Sequence, residues 1–209
     1  MERGDDFLRQ FDELLLWRRD VRRFRRDPAP EPLVAAVLDA ARFAPSVGLS
    51  QPTRLMRVNS AAARAAVREN FADAQADALA GYEGERARLY ARLKLSGLDE
   101  APVHIAVFCD EATAKGHGLG ARTMPETLAY STVCGVMLMW LAAAARGLGL
   151  GWVSILDPAR LSRDLDAPEA WRFIAYLCIG WPEERDTQPE LEKAGWERRD
   201  AASPVIHTR

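Results

Sequence analysis

The 209 residues carry 28 basic and 30 acidic side chains, a formal net charge of −2, with 48% hydrophobic and 28% charged composition. That balance is ordinary for a globular chain able to bury a sizeable core, and it excludes a general nucleic-acid binder, which carries a basic excess or a basic face. The three cysteines, Cys109, Cys134 and Cys178, form no C-x-x-C pair, and the start "MERGDDFLRQ" lacks an apolar export region, so a reducing cytoplasm is the expected compartment.

Phe7, Phe11, Leu14 and Leu15 recur at helical spacing, and Trp17, Val21 and Phe24 carry a 4,3 pattern through "WRRDVRRF" to the break at "DPAPEP". Six arginines fall within residues 18–26 around a single acid, Asp20. Like charges at helical spacing disfavour a helix, so the cluster calls for solvation, protein carboxylates elsewhere or a bound anion. Arginine's planar fork suits phosphate. A second helix is predicted over 31–43, followed by the loop "APSVGLSQP", where Ser46 and Gln51 offer hydrogen-bonding side chains and Gly48 permits close backbone approach.

"TRLMRVNS" reads as a strand, and the Ala-, Arg- and Glu-rich residues 61–99 as two helices broken near 80–85. Weak apolar patterning there makes 81–98 a candidate lid. Val103–Cys109 is a predicted strand, and "KGHGLGARTMPE" a Gly-rich loop. The helix predicted over 125–146 approaches membrane-spanning length in its uncharged part, Thr127 to Ala145. Its polar Tyr130, Ser131 and Thr132, with no second span, favour a buried helix over a membrane anchor. A strand in "LGLGWVSIL", a short helix over 158–165, a strand in "WRFIAYLCIGWP" and a polar extension, 183–209, complete one predicted α+β domain over 1–209.

Several chemistries lack their spacing. The alternate glycines of 147–151 leave a helix and enter a strand, the reverse of the dinucleotide fingerprint. His104, His117 and His207 are scattered without metal-ligand spacing, so no metal is expected, and no G-x-S-x-G elbow is present. His104 reads as a satisfied core residue, and the six tryptophans as core packing.

Together the segments resemble the FMN-dependent nitroreductase superfamily. Its R-R-(S/D)-V-R-x-F opening is matched by Arg18 through Phe24, its Pro-Ser loop by Ala44-Pro45-Ser46-Val47-Gly48 with Gln51-Pro52 beyond, and its Gly-rich passage by Gly147 to Ser154. The resemblance narrows to the dimethylbenzimidazole-forming branch through Asp20, "APSVGLSQP", "YARLKLSGLDEAP", "LAYSTVC", "GLGLGWVSILDP" and "PELEKAGWERR", an ordered set spanning about residues 13–199.

The resemblance implies an α+β, FMN-binding fold with a mixed or antiparallel central sheet, in a domain-crossing homodimer whose flavin sites use both chains. It implies O2-dependent fragmentation of reduced FMN to 5,6-dimethylbenzimidazole, the lower ligand of cobalamin, and erythrose 4-phosphate, with a separate NAD(P)H-dependent flavin reductase as the source of reduced FMN. Flavin contacts are then expected from Arg18, Arg19, Asp20, Val21 and Arg22, from Pro45, Ser46, Val47, Gly48 and Gln51, and from Gly151, Trp152, Val153 and Ser154. Asp20 is the expected proton-transfer residue and Ser154 the expected donor near flavin N5. Neither a nucleic acid nor a membrane is an expected partner. An NAD(P)H-dependent nitroreductase or flavin reductase, and a non-catalytic flavin-binding protein, are the alternatives.

Overall fold

The computed structural model describes residues 4–208. Residues 1–3 and 209, the ends of the expected 1–209 domain, lie outside the described residues. Four strands form an antiparallel sheet in the order β1-β2-β4-β3: β1 (Thr53–Arg57), β2 (Val103–Asp110), β3 (Gly149–Val153) and β4 (Trp171–Gly180). Both faces are covered, which explains why β2 and β4 read as apolar runs rather than alternating ones. Val107, Leu177 and Ile179 face α2 (Glu31–Asp39) and α5 (Thr127–Ala145) through Val34, Val37, Val136 and Met139. On the other face Phe108, Tyr176 and Cys178 join Val67 of α3 (Ala61–Ala80) and Leu161 of α6 (Pro158–Asp164).

The helix α5 turns Thr132, Gly135, Val136, Met139 and Ala143 inward. Its other face leaves Tyr130, Val133, Cys134 and Met137 exposed, apolar residues at helical spacing. The lid candidate contains α4 (Gly84–Arg92), and the C-terminal extension contains α7 (Glu190–Lys193).

One sequence expectation is corrected. The first helix, α1 (Asp5–Trp17), stops before the arginine cluster, and residues 18–26 run extended. Asp20 bridges Leu150 in parallel and Phe24 bridges Pro182. An extended chain spreads the guanidinium groups apart, whereas a helix would stack them. It also lets Val21 and Phe24 pack on glycines. Of the tryptophans, Trp140, Trp152, Trp171 and Trp181 pack half-buried against the core as expected, Trp196 is half-buried, and Trp17 is exposed.

His104 is the satisfied core residue its position suggests. In β2 and 1% exposed, it faces the Ala101 carbonyl with Nε2 at 3.1 Å and the Tyr176 hydroxyl with Nδ1 at 3.0 Å. A carbonyl only accepts, so Nε2 carries the proton and Nδ1 accepts from tyrosine. Burial, reinforced by the charge of Arg64, lowers its pKa from 6.5 to about 4. A histidine held neutral when folded binds its proton first in the unfolded chain, so stability is intact above pH 6.5 and falls as pH drops toward 4. The slope is about 1.4 kcal/mol per pH unit, a total of order 3 kcal/mol. Urea unfolding across that window is expected to show this contribution, and His104→Phe combined with Tyr176→Phe to remove it. The same slope in the double variant would contradict the assignment.

Candidate active site

The arginine segment lies along the edge strand β3 because two glycines admit it. A Cβ on Gly151 would sit 2.0 Å from the Val21 carbonyl oxygen, and one on Gly149 2.8 Å from the Val21 side chain. Val21 N–H donates to the Leu150 carbonyl at 3.2 Å. The Phe24 ring, 1% exposed, closes the segment against Gly97, where a Cβ would stand 2.4 Å from the ring. The alternate glycines of β3 are therefore a packing requirement of the segment that carries Asp20.

Asp20 is gripped from two sides. Its Oδ1 accepts from Trp152 N–H at 2.9 Å and its Oδ2 from Arg22 Nε at 2.9 Å, while 31% of the side chain stays exposed. Arg22 also donates to the Lys94 carbonyl at 3.3 Å, tying the segment to the stretch beyond α4. Arg19 is committed to backbone carbonyls: Nε donates to Thr187 O at 2.7 Å, Nη2 reaches the same oxygen, and Nη1 donates to Arg18 O at 2.7 Å. Arg23 pairs with Glu190 at 3.4 Å and Arg25 with Asp27 at 2.7 Å.

The guanidinium of Arg18 stands apart. It lies 4.8 Å from the centroid of the Trp140 ring, which itself donates Nε1–H to Arg19 O at 3.0 Å. Burial lowers its pKa, and the positive charge of Arg199 lowers it further; Arg19 is lowered by the same two causes in the same order. The positive charge of Arg199, from the C-terminal extension, thus acts on both Arg18 and Arg19. Among the described residues neither Arg18 nor Arg199 has a carboxylate ion pair. Arg199 and Trp140 were absent from the sequence-level site. Trp140 carries no signal beyond an apolar helix, and Arg199 lies in a polar stretch without periodicity.

Of the β3 residues, Val153 is 2% exposed within the core, whereas Ser154 lies exposed just past the strand. Its hydroxyl has no partner among the described residues. A cavity of about 210 Å³ is lined by the bases Arg19, Arg22, Arg23 and Lys193 and by the acids Asp20, Glu184, Asp186 and Glu190, and the Lys193 ammonium pairs with Asp186.

The Pro45–Gln51 loop sits elsewhere. It precedes β1, at the far edge of the sheet from β3, so three strand spacings, about 14 Å, separate the groups. Val47 N–H donates to Ser131 Oγ at 3.0 Å and Gln51 N–H to Ser46 Oγ at 3.1 Å, while Lys115 Nζ donates to Gln51 Oε1. Gly48, at φ 55°, faces Leu119 O only 2.7 Å from where a Cβ would lie, which locks this loop onto the Gly-rich loop. Pro45, Ser46, Gln51 and Arg54 line a second cavity of about 400 Å³. No group of three His, Cys, Asp or Glu among the described residues is placed to hold a metal ion.

The profile of the Nitroreductase family matches residues 15–181. The chain is 56% identical over 195 residues to a 5,6-dimethylbenzimidazole synthase of Rhodospirillum rubrum, covering 93% of this chain and 92% of that one. A 5,6-dimethylbenzimidazole synthase of Rhodobacter capsulatus is 50% identical over 185 residues, covering 88% and 89%. Among solved structures, oxidized iodotyrosine deiodinase bound to FMN and 3-iodo-L-tyrosine superposes with a TM-score of 0.74 at 20% identity, over 94% of this chain and 99% of that one. A nitroreductase family protein from Clostridium difficile superposes with a TM-score of 0.68 at 20% identity, over 94% and 97%. The α+β fold, the R-R-D-V-R-R-F segment seated on β3 and the profile match over most of the chain agree: this chain belongs to the nitroreductase family.

Proposed function

We propose that this chain carries out the reaction for which its curated relatives are named, forming 5,6-dimethylbenzimidazole, and that it does so by fragmenting reduced FMN with O2 and releasing erythrose 4-phosphate. The observation that carries the reading is Asp20, a carboxylate fixed by Trp152 N–H and Arg22 yet partly open, two residues along an extended segment from Arg18, whose guanidinium has no carboxylate pair among the described residues. Simple flavin binding gives no reason to hold an acid next to an anionic ligand. The donor set fits a phosphate monoester: Arg18 and Arg199 supply charge and N–H groups with no competing ion pair.

Reduced FMN supplies the electrons and the ring atoms of the product. The remaining work falls to the chain's residues. Arg18 and Arg199 hold the phosphate, while Arg19 and Arg22 brace the segment. The Asp20 carboxylate takes a proton from the ribityl chain during its oxidation. The unpaired Ser154 hydroxyl donates a hydrogen bond toward the N5 edge of the ring. The segment containing α4 excludes water from the reaction.

The reading includes a second copy of the chain and a separate flavin reductase that delivers reduced FMN. A 210 Å³ cavity lies below the usual range of about 300–1,000 Å³ for ligand sites, and the Pro45–Gln51 loop lies too far along the sheet to complete it in the same chain. The exposed apolar stripe of α5, with Phe43 71% and Leu49 70% exposed on the short helical turns that pack against it, is the kind of surface that a homodimer covers.

Arg18→Gln and Arg199→Gln are each expected to weaken FMN binding about tenfold or more, the loss of a charge-assisted contact, and to leave riboflavin binding unchanged. Fluorescence titration with both flavins checks this. An equal loss for riboflavin would remove the phosphate assignment.

A further inference from the structure

The C-terminal extension touches both the anion site and the lid candidate. At its start, Thr187 O accepts from Arg19 and Glu190 pairs with Arg23. The helix α7 then ends in a Schellman turn: Gly195 N–H donates to Glu192 O at 3.1 Å and Trp196 N–H to Leu191 O at 2.9 Å, with Gly195 at φ 74°. This turn throws Trp196 onto α4. Tyr82 meets the indole edge-on, ring centroids 5.4 Å apart, and Tyr90 packs at 6.0 Å. Arg86 lies 4.8 Å from the ring centroid and donates Nη1–H to Trp196 O at 2.6 Å. The Tyr90 hydroxyl is buried without a partner, so aromatic packing and the Arg86 contacts hold this junction. Three residues after Trp196 stands Arg199, whose charge acts on Arg18 and Arg19.

We propose that residues 183–199 form a latch in which Trp196 is a positioning residue for α4, and that a phosphate monoester held by Arg18 and Arg199 tightens it. The latch rests on the flavin reading of the arginine site and extends it: phosphate occupancy and closure of α4 share one short segment. A phosphate drawn to Arg199 orders residues 196–199, and the indole fixes α4 in turn. Substrates without the phosphate then bind without closing the lid.

Hydrogen exchange of the 84–92 amides, read by mass spectrometry in wild type, Trp196→Ala and Trp196→Phe, tests this. In wild type, saturating FMN is expected to slow these amides at least tenfold, and riboflavin to leave them unchanged. Trp196→Ala is expected to keep FMN affinity within about threefold yet lose the slowing, and Trp196→Phe to recover most of it. Arg86→Met, which removes both Arg86 contacts without touching α7, is expected to behave like Trp196→Ala and serves if that variant does not fold. Full slowing in Trp196→Ala or Arg86→Met would overturn the latch. Failure of wild type to bind FMN would instead overturn the flavin reading and the coupling to phosphate, and is recognised separately by the binding titration.

Discussion

Asp20→Asn is expected to abolish most benzimidazole formation, by about 10²–10⁴-fold, while FMN affinity changes only a few-fold. The carboxylate accepts from Trp152 N–H on one oxygen and from Arg22 Nε on the other. An asparagine can satisfy one of these donors and must turn its own NH2 toward the second. That mismatch costs about 1–3 kcal/mol, a separate effect from the lost proton acceptor. Stability and product yield are therefore measured on the same preparation. Asp20→Ser, which removes the carboxylate without adding a competing NH2, is expected to lose product equally with a smaller stability change. Ser154→Gly, which deletes an unpaired exposed hydroxyl, is expected to lower product and raise peroxide release with unchanged stability. Normal product yield from Asp20→Asn would remove Asp20 from the chemistry and leave it a brace for Arg22.

Gly151→Ala is expected to destabilise the chain by about 3 kcal/mol or more, the upper end of overpacking costs, and to lower Tm by roughly 6–12 °C for a domain of this size. The new methyl group would stand 2.0 Å from the Val21 carbonyl oxygen. A backbone oxygen cannot swing aside as a side chain does, so the segment must lift from β3. Lifting breaks the Val21–Leu150 hydrogen bond and displaces the segment that carries both Asp20 and Arg18, so flavin affinity should fall together with stability. Gly149→Ala is the internal comparison. Its Cβ comes nearest the Val21 side chain, at 2.8 Å, rather than a backbone oxygen at 2.0 Å, so the overlap and the loss should be smaller. Equal effects in calorimetry and FMN titration would contradict this account of the glycines.

Much of the fold was legible because its elements follow simple periodicities. The apolar runs of β2 and β4 and the uncharged α5 mark buried elements directly, and Gly147, at φ 78°, ends its helix as a glycine should. The extended course of 18–26 was not legible. Trp17, Val21 and Phe24 keep helical spacing, but Val21 and Phe24 pack on glycines more than 70 residues away, Gly97, Gly149 and Gly151. The same distance effect divided the site. "WRRDVRRF" and "GLGLGWVS" meet through tertiary pairing that neither announces, while "APSVGLSQP" is carried to the opposite edge of the sheet by strand order alone. Arg199 and Trp196 lie in a stretch too polar and too short for patterning. Only the fold brings them to Arg18 and α4.

The central claim is that the flavin is consumed. The direct test loads purified protein with stoichiometric FMN, reduces it anaerobically with light, admits air without nicotinamide, and analyses the small molecules by chromatography with mass detection. The account predicts 5,6-dimethylbenzimidazole together with erythrose 4-phosphate, formed at the expense of FMN. Quantitative recovery of intact FMN after reoxidation would contradict it and would point to a conventional flavin reductase on the same fold.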